Sequence, residues 1–191
     1  MSSLDLARAI ADAALLRGEF TLRSGRTSSY YLDKYRFTTR PELLAPLAER
    51  FAALVRIIDE RDKQQGGTRG VGGAGVNRLA GAELGGVPIA TAVGLATGLP
   101  FVFVRNAKKD YGTAKQLEGE INPGDRVVFL EDVATTGGQA VEAIGVLRHA
   151  GAVVLAVICA IDREEGARAN VESAGTRFET VFTKTDLGVE P

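Results

Sequence analysis

The sequence predicts an α/β fold in which helices flank a mostly parallel central sheet. Three apolar runs have the length and continuous hydrophobicity of strands buried on both faces, and they lie at 101–104, 126–131 and 153–161. Segments with helical periodicity alternate with them, near 86–96, 139–149 and 167–173. Strands that alternate with helices in this way are typical of parallel sheets with crossover helices. We expect a single domain that spans residues 1–191.

The N-terminal region and the connecting segments complete this prediction. Apolar residues at helical spacing indicate a first helix over 4–15, and alternating apolar and polar residues around a Ser-Gly turn indicate a β-hairpin over 20–37. Pro41 is placed to begin a second helix that runs to about Ile58. The remaining segments are predicted to be a polar surface loop at 59–68, a weak strand near 70–73 and a last strand near 178–182.

Composition and charge exclude several classes of function. With 23 basic and 24 acidic residues, the chain has a formal charge of −1 and offers no broad basic surface to a nucleic-acid backbone. Charged residues interrupt the N-terminal segment, and no stretch approaches the ~20 apolar residues of a membrane span. Cys159 is the single cysteine and lies in an apolar run, so we expect a buried thiol without a catalytic role. We expect a soluble cytoplasmic protein that binds neither nucleic acid nor membranes.

The string RVVFLEDVATTGGQ, at 126–139, carries the clearest chemical signal. It joins an apolar strand to two acids and then to a Thr-Thr-Gly-Gly turn that enters a helix. A helix N-terminus offers unpaired N–H groups, glycines admit an anion close to the backbone, and threonine hydroxyls add donors, so the turn suits one phosphate group. Two adjacent carboxylates would repel that phosphate unless they faced sugar hydroxyls or a divalent cation. The string therefore predicts a ribose phosphate as the ligand.

This string resembles the phosphoribosyl-pyrophosphate signature of type I phosphoribosyltransferases, which ends a central strand with two acids and binds the 5-phosphate in the next loop. Two positions depart from the usual pattern, because Ala134 replaces a larger aliphatic residue and Gln139 replaces a hydroxyl residue. We expect these departures to change affinity without abolishing function. The residues that the resemblance assigns to phosphoribosyl pyrophosphate here are Glu131, Asp132, Val133, Ala134, Thr135, Thr136, Gly137, Gly138 and Gln139.

Two further segments are similar to the orotate-specific branch of this family. The segment 18–33 is similar to a small N-terminal hood that closes over orotate, to which residues 1–40 contribute, and Arg23 stands where that branch usually has lysine. The segment 160–167 is similar to the part of the branch that reads the base. The residues that these similarities assign to orotate are Arg23, Tyr31, Leu32, Thr135 and Arg163.

Two other segments are similar to the parts of this branch that handle pyrophosphate. The segment 81–94 is similar to the pyrophosphate loop, through Gly85 and Gly86, and the segment 104–119 is similar to the mobile catalytic loop. In the catalytic loop, the resemblance assigns pyrophosphate contacts to Arg105, Lys109 and Tyr111. Asn106 stands where a second lysine is usual, and Tyr111 stands where histidine is usual.

The resemblance implies transfer of ribose 5-phosphate to orotate, with Arg105, Lys109 and Asp132 as catalytic residues. It also implies that the substrate carries Mg²⁺, near Glu131 and Asp132, and that the catalytic loop closes over the neighbouring subunit of a homodimer. Two alternatives stay open from the sequence. One is a purine phosphoribosyltransferase, which shares the 126–139 string, and the other is a non-catalytic regulator that senses phosphoribosyl pyrophosphate.

Overall fold

The computed structural model describes residues 1–21, 27–65, 75–106 and 116–189, and it confirms the α/β prediction. In chain order, its elements are α1 (Ser3–Ala14), β1 (Leu15–Thr21), β2 (Thr27–Leu32), α2 (Tyr35–Thr38), α3 (Pro41–Gln64), β3 (Arg78–Ala82), α4 (Gly86–Thr97), β4 (Phe101–Val104), β5 (Leu117–Glu118), β6 (Arg126–Ala134), α5 (Gly138–His149), β7 (Val153–Asp162), α6 (Ala167–Ser173) and β8 (Arg177–Thr183).

Six strands form the central sheet, in the order β5-β4-β3-β6-β7-β8, and β1 and β2 form a separate antiparallel hairpin. Among the described strands of the central sheet, β4, β3, β6, β7 and β8 run parallel, and β5 pairs antiparallel with β4. The carboxyl ends of parallel strands meet at one edge of the sheet, here called the carboxyl edge. Loops and helix N-termini converge at this edge, which makes it the expected place for a ligand.

Different helices cover the two faces of the sheet. Successive residues of a strand point to opposite faces, and in β6 the buried Leu130 and Phe129 belong to two separate apolar clusters. Leu130 packs in the cluster that holds the buried faces of α1, α3 and α4. Phe129 packs in the cluster that holds α5 and α6. Cys159 is buried, as predicted, and it lies in the second cluster.

Two boundaries in the first half of the chain differ from the prediction. The hairpin begins at Leu15, directly after α1, and ends at Leu32, so the predicted span 20–37 was shifted toward the C-terminus. The sequence also gave no prediction for β3, whose residues RLAGA are mostly small. Pairing with β4 on one side and β6 on the other makes this segment a central strand. The strand predicted near 70–73 lies outside the described residues.

The helix α3 extends beyond its predicted end at Ile58 and reaches Gln64, where a surface loop was expected. Its polar last turns have partners that the sequence pattern does not show. Asp62 accepts hydrogen bonds from the Arg126 guanidinium at the start of β6, one of them 2.8 Å long, and from the backbone N–H of Gly75.

None of the described helices is both long and apolar enough to cross a membrane.

Candidate active site

Several of the predicted ligand-binding residues that the structure describes lie at the carboxyl edge. β6 carries Glu131 and Asp132 close to its end, and β7 runs beside it, with Asp162 in register with Ala134. The backbone N–H of Arg163 donates to the carbonyl oxygen of Ala134 over 2.9 Å. The two central strands therefore bring the acidic pair and the predicted base-reading arginine to the same place.

The acidic pair is almost fully buried, with Glu131 4% and Asp132 1% exposed. Burial and the neighbouring Asp132 carboxylate raise the pKa of Glu131 to about 8. Oε2 of Glu131 has no hydrogen-bond partner among the described residues, which is costly for a buried polar atom. A ligand that supplied donors or a positive charge at this point would satisfy it.

Lys34 provides a counter-ion to this pair. Its Nζ lies 2.8 Å from Oδ2 of Asp132. Partial burial lowers the pKa of Lys34, but the attraction and hydrogen bond of Asp132, together with smaller contributions from Glu131 and Tyr35, leave the pKa raised. Lys34 is therefore positively charged at neutral pH. No sequence motif singles out this residue.

The turn at 135–137 has the features of an anion site that the sequence predicted. Gly137 precedes α5 with φ +76°, a left-handed conformation that favours glycine, and a Cβ there would lie 3.1 Å from the carbonyl oxygen of Ala167. No side chain of the described residues caps α5, so its first N–H groups stay available to a ligand. The Asn170 side chain donates to the carbonyl oxygen of Thr136 over 2.8 Å and fixes the turn.

The predicted pyrophosphate loop, between β3 and α4, lies directly against the acidic pair. Gly85 has φ −74°, which any residue can adopt. It is the lack of room for a side chain, and not the backbone conformation, that requires glycine here. A Cβ on Gly85 would lie 1.4 Å from Oδ2 of Asp132, and one on Gly86 would lie 3.0 Å from the carbonyl oxygen of Leu130. The two glycines thus allow the loop and β6 to approach each other closely.

Two residues that depart from the family pattern contact each other. The Gln139 side chain donates to Oδ1 of Asn106 over 3.2 Å and to the carbonyl oxygen of Glu83 over 3.3 Å. Asn106 also bonds to Glu83, through its backbone N–H to Oε1 at 2.8 Å and through its side-chain amide to the carbonyl oxygen at 3.3 Å. Glu83 lies in the pyrophosphate loop, so this network joins that loop to the start of α5, next to the turn at 135–137 (here called the phosphate turn), and to the segment that follows β4.

The hood contacts Arg163, the predicted base-reading residue, through Tyr30. The Arg163 guanidinium donates to the Tyr30 hydroxyl, with distances of 3.0 and 3.2 Å, and its carbon lies 5.1 Å from the centre of the Tyr30 ring. Glu165 forms an ion pair with Arg163 at 3.0 Å. The sequence did not predict a role for Tyr30, although the alternation of β2 places Tyr30 and Tyr31 on opposite faces of the hairpin.

Of the other predicted residues, the structure describes Tyr31, Leu32 and Arg105. Tyr31 is exposed and its ring centre lies 5.7 Å from that of Phe20, whereas Leu32 is half-buried against the core. Arg105 follows β4 and forms an ion pair of 3.5 Å with Glu118 of β5. The remaining predictions, Arg23, Lys109 and Tyr111, lie outside the described residues.

The described residues contain no group of three His, Cys, Asp or Glu side chains arranged to hold a metal ion. Two carboxylates, one with an unpartnered oxygen, fit a cation that arrives with most of its ligands already supplied. The donor set of Glu131 and Asp132 is therefore compatible with Mg²⁺ bound to a substrate pyrophosphate.

Known proteins are similar to this chain over nearly its whole length. An orotate phosphoribosyltransferase from Natronomonas pharaonis is 42% identical over 188 residues, which cover 98% of this chain and 98% of that relative. The crystal structure of orotate phosphoribosyltransferase from Aeropyrum pernix has a TM-score of 0.77 and 34% identity, with 96% of each chain covered. The Mycobacterium tuberculosis enzyme in complex with 5-phospho-α-D-ribosyl 1-diphosphate has a TM-score of 0.73 and 28% identity, covering 98% of this chain and 99% of that one. No protein-family model matches the chain.

Proposed function

The chain belongs to the orotate phosphoribosyltransferase family, and from this premise we propose how its carboxyl edge performs the reaction. The enzyme transfers ribose 5-phosphate from phosphoribosyl pyrophosphate to orotate, and the products are orotidine 5′-monophosphate and pyrophosphate, a step of pyrimidine biosynthesis. The bond between the ribose C1 and pyrophosphate breaks, and a bond from C1 to an orotate nitrogen forms.

One observation carries the proposal, namely the contact between the pyrophosphate loop and the acidic pair. Gly85 lies so close to Asp132 that no side chain fits between them, and the phosphate turn begins three residues beyond Asp132. A ribose whose 5-phosphate is bound at α5 would therefore have its hydroxyls at the acids and its pyrophosphate at Gly85. These are the three parts of phosphoribosyl pyrophosphate in their chemical order.

The acids have different roles in this proposal. Burial raises the pKa of Glu131 and so favours its protonated form more than in an exposed carboxyl group, and in that form it can donate to a ribose oxygen as well as accept. Asp132, paired with Lys34, accepts hydrogen bonds from the ribose hydroxyls. Mg²⁺ bound to the substrate would be held near these two side chains, and it would supply positive charge to the departing pyrophosphate.

Orotate is proposed to bind between the hood and β7. Its carboxylate needs a cation, and a planar guanidinium can pair with a carboxylate through two parallel hydrogen bonds. Arg163 lies at the correct edge, and the Tyr30 contact orients it toward the hood. Thr135, Tyr31 and Leu32 complete the proposed orotate site, together with Arg23.

We further propose a homodimer, in the cytoplasm, whose catalytic loops act across the interface. The test mixes Lys109→Ala with Asp132→Asn, two variants that are each expected to be nearly inactive. If the loop acts on the neighbouring subunit, a mixed dimer contains one intact site, and re-equilibrated mixtures should recover about a quarter of wild-type activity. If the loop acts within its own subunit, every site keeps one defect and the mixture stays inactive.

The reaction itself is tested by the loss of orotate absorbance in the presence of Mg²⁺ and phosphoribosyl pyrophosphate, with adenine, hypoxanthine and uracil run in parallel. We expect orotate alone to be consumed, and chelation by EDTA to stop the reaction. Consumption of adenine or hypoxanthine would instead support a purine phosphoribosyltransferase. Binding of phosphoribosyl pyrophosphate without turnover of any base would support the regulator, for which the described fold provides no DNA-binding appendage.

A further inference from the structure

Lys34 is held at the acidic pair by a part of the chain that is anchored in the core. It follows β2 and precedes α2, and its carbonyl oxygen accepts hydrogen bonds from the backbone N–H and the hydroxyl of Thr38, at 3.1 and 3.0 Å. Thr38 and the adjacent Phe37 are 1% and 0% exposed, so α2 is anchored in the core. The side chain of Lys34 remains 31% exposed, so a ligand that enters from solvent can reach it.

The side chain of Lys34 touches two parts of the site at once. Its Nζ contacts Asp132, and its Cε would lie 3.2 Å from a Cβ built on Gly85, which places the alkyl chain beside the pyrophosphate loop. Phosphoribosyl pyrophosphate is a polyanion, and the Asp132 carboxylate disfavours its approach unless a cation lies beside it. Lys34 is the cation that the described part of the chain places against these acids.

We propose that Lys34 is a substrate-binding residue that changes partners when phosphoribosyl pyrophosphate binds. In the free protein, its ammonium group neutralises Asp132. A ribose hydroxyl donates to the same carboxylate and takes over this contact, which releases the ammonium group to the pyrophosphate oxygens beside Gly85. The exchange leaves Asp132 hydrogen-bonded, because a ribose hydroxyl replaces the ammonium group there, and it gives the pyrophosphate a cation. This inference rests on the proposed placement of the substrate.

The first test is Lys34→Gln, with binding of phosphoribosyl pyrophosphate and of inorganic pyrophosphate measured by calorimetry. Loss of one charge-assisted hydrogen bond should weaken both ligands roughly ten- to hundred-fold. The KM for phosphoribosyl pyrophosphate should rise in parallel, while the KM for orotate changes little. Lys34→Arg retains the positive charge and should recover a large part of the affinity.

Arg36→Gln is the matched control, because Arg36 is a neighbouring basic residue whose ion pair is with Asp33 rather than with the site. It should leave the affinity for both phosphorylated ligands unchanged. Melting temperatures of all variants separate loss of binding from loss of fold. Unchanged or tighter binding of pyrophosphate by folded Lys34→Gln would overturn the proposal, and tighter binding would make Lys34 an inhibitory counter-ion instead.

A double variant distinguishes direct binding from an effect that acts through Asp132. If Lys34 contacts pyrophosphate itself, Lys34→Gln should weaken pyrophosphate binding further when it is added to Asp132→Asn. If Lys34 serves only as the counter-ion of Asp132, the additional change has no effect in that background, and the proposal fails. Wild-type turnover of orotate is measured alongside, since its absence would refute the proposed function rather than the role of Lys34.

Discussion

Gly85→Ala tests the central geometric feature of the site, the contact between the pyrophosphate loop and β6. The new Cβ would lie 1.4 Å from Oδ2 of Asp132 and 2.6 Å from its carboxyl carbon. Nonbonded carbon contacts need about 3.5–4.0 Å, so the carboxylate or the loop must move by roughly 2 Å. Because a misplacement of about 1 Å can cost 100-fold in rate, we expect kcat/KM for phosphoribosyl pyrophosphate to fall at least about 100-fold.

The assay is steady-state consumption of orotate at varied phosphoribosyl pyrophosphate, combined with the melting temperature of each variant. Gly145→Ala is the control, because Gly145 lies within α5 and a Cβ there would meet no atom within 4 Å. It should keep wild-type kinetics and stabilise the protein by about 0.5–1 kcal/mol, since alanine favours helix more than glycine does. Wild-type kinetics for Gly85→Ala would refute the argument that steric exclusion at Asp132 shapes the site.

Three further predictions concern contacts outside the acidic pair. Gln139→Ala and Asn106→Ala should each raise the KM for phosphoribosyl pyrophosphate about two- to five-fold. Because the two side chains contact each other, their effects should not add in the double variant, and additive effects would mean that they act independently. Tyr30→Phe removes the acceptor that orients Arg163 and should raise the KM for orotate about two- to tenfold with little change for the other substrate; an unchanged orotate KM would exclude this orienting role. The hydrogen bond from the Arg126 guanidinium holds the pKa of Asp62 below its ordinary value of 3.8. This contact therefore stabilises the fold fully above pH 3.8, and the stabilisation is lost as the pH falls through the lowered pKa. Thermal melts should therefore show Asp62→Asn less stable than wild type at pH 7 and the difference shrinking in acid, and a constant difference across that range would contradict this origin.

The sequence determined the fold class and the core of the site, because both depend on local patterns. The buried runs of β4, β6 and β7 are continuous in sequence, and the same is true of the acids, the turn and the helix start at 131–139. Motif residues that are adjacent in the chain keep their spacing in any fold that places them at a strand end. The sequence did not predict β3, because its small residues form a central strand only through pairing with neighbours on both sides.

The tertiary structure alone decided which distant residues meet at this edge. Nothing in the local sequence connects Lys34 to Asp132, Tyr30 to Arg163 or Asn106 to Gln139, since each pair is separated by long stretches of chain. These contacts form because the anchored α2, the hood hairpin and the parallel strands converge where β6 and β7 end. The sequence therefore identified the kind of substrate, whereas the packing of remote elements determined which charges and donors surround it.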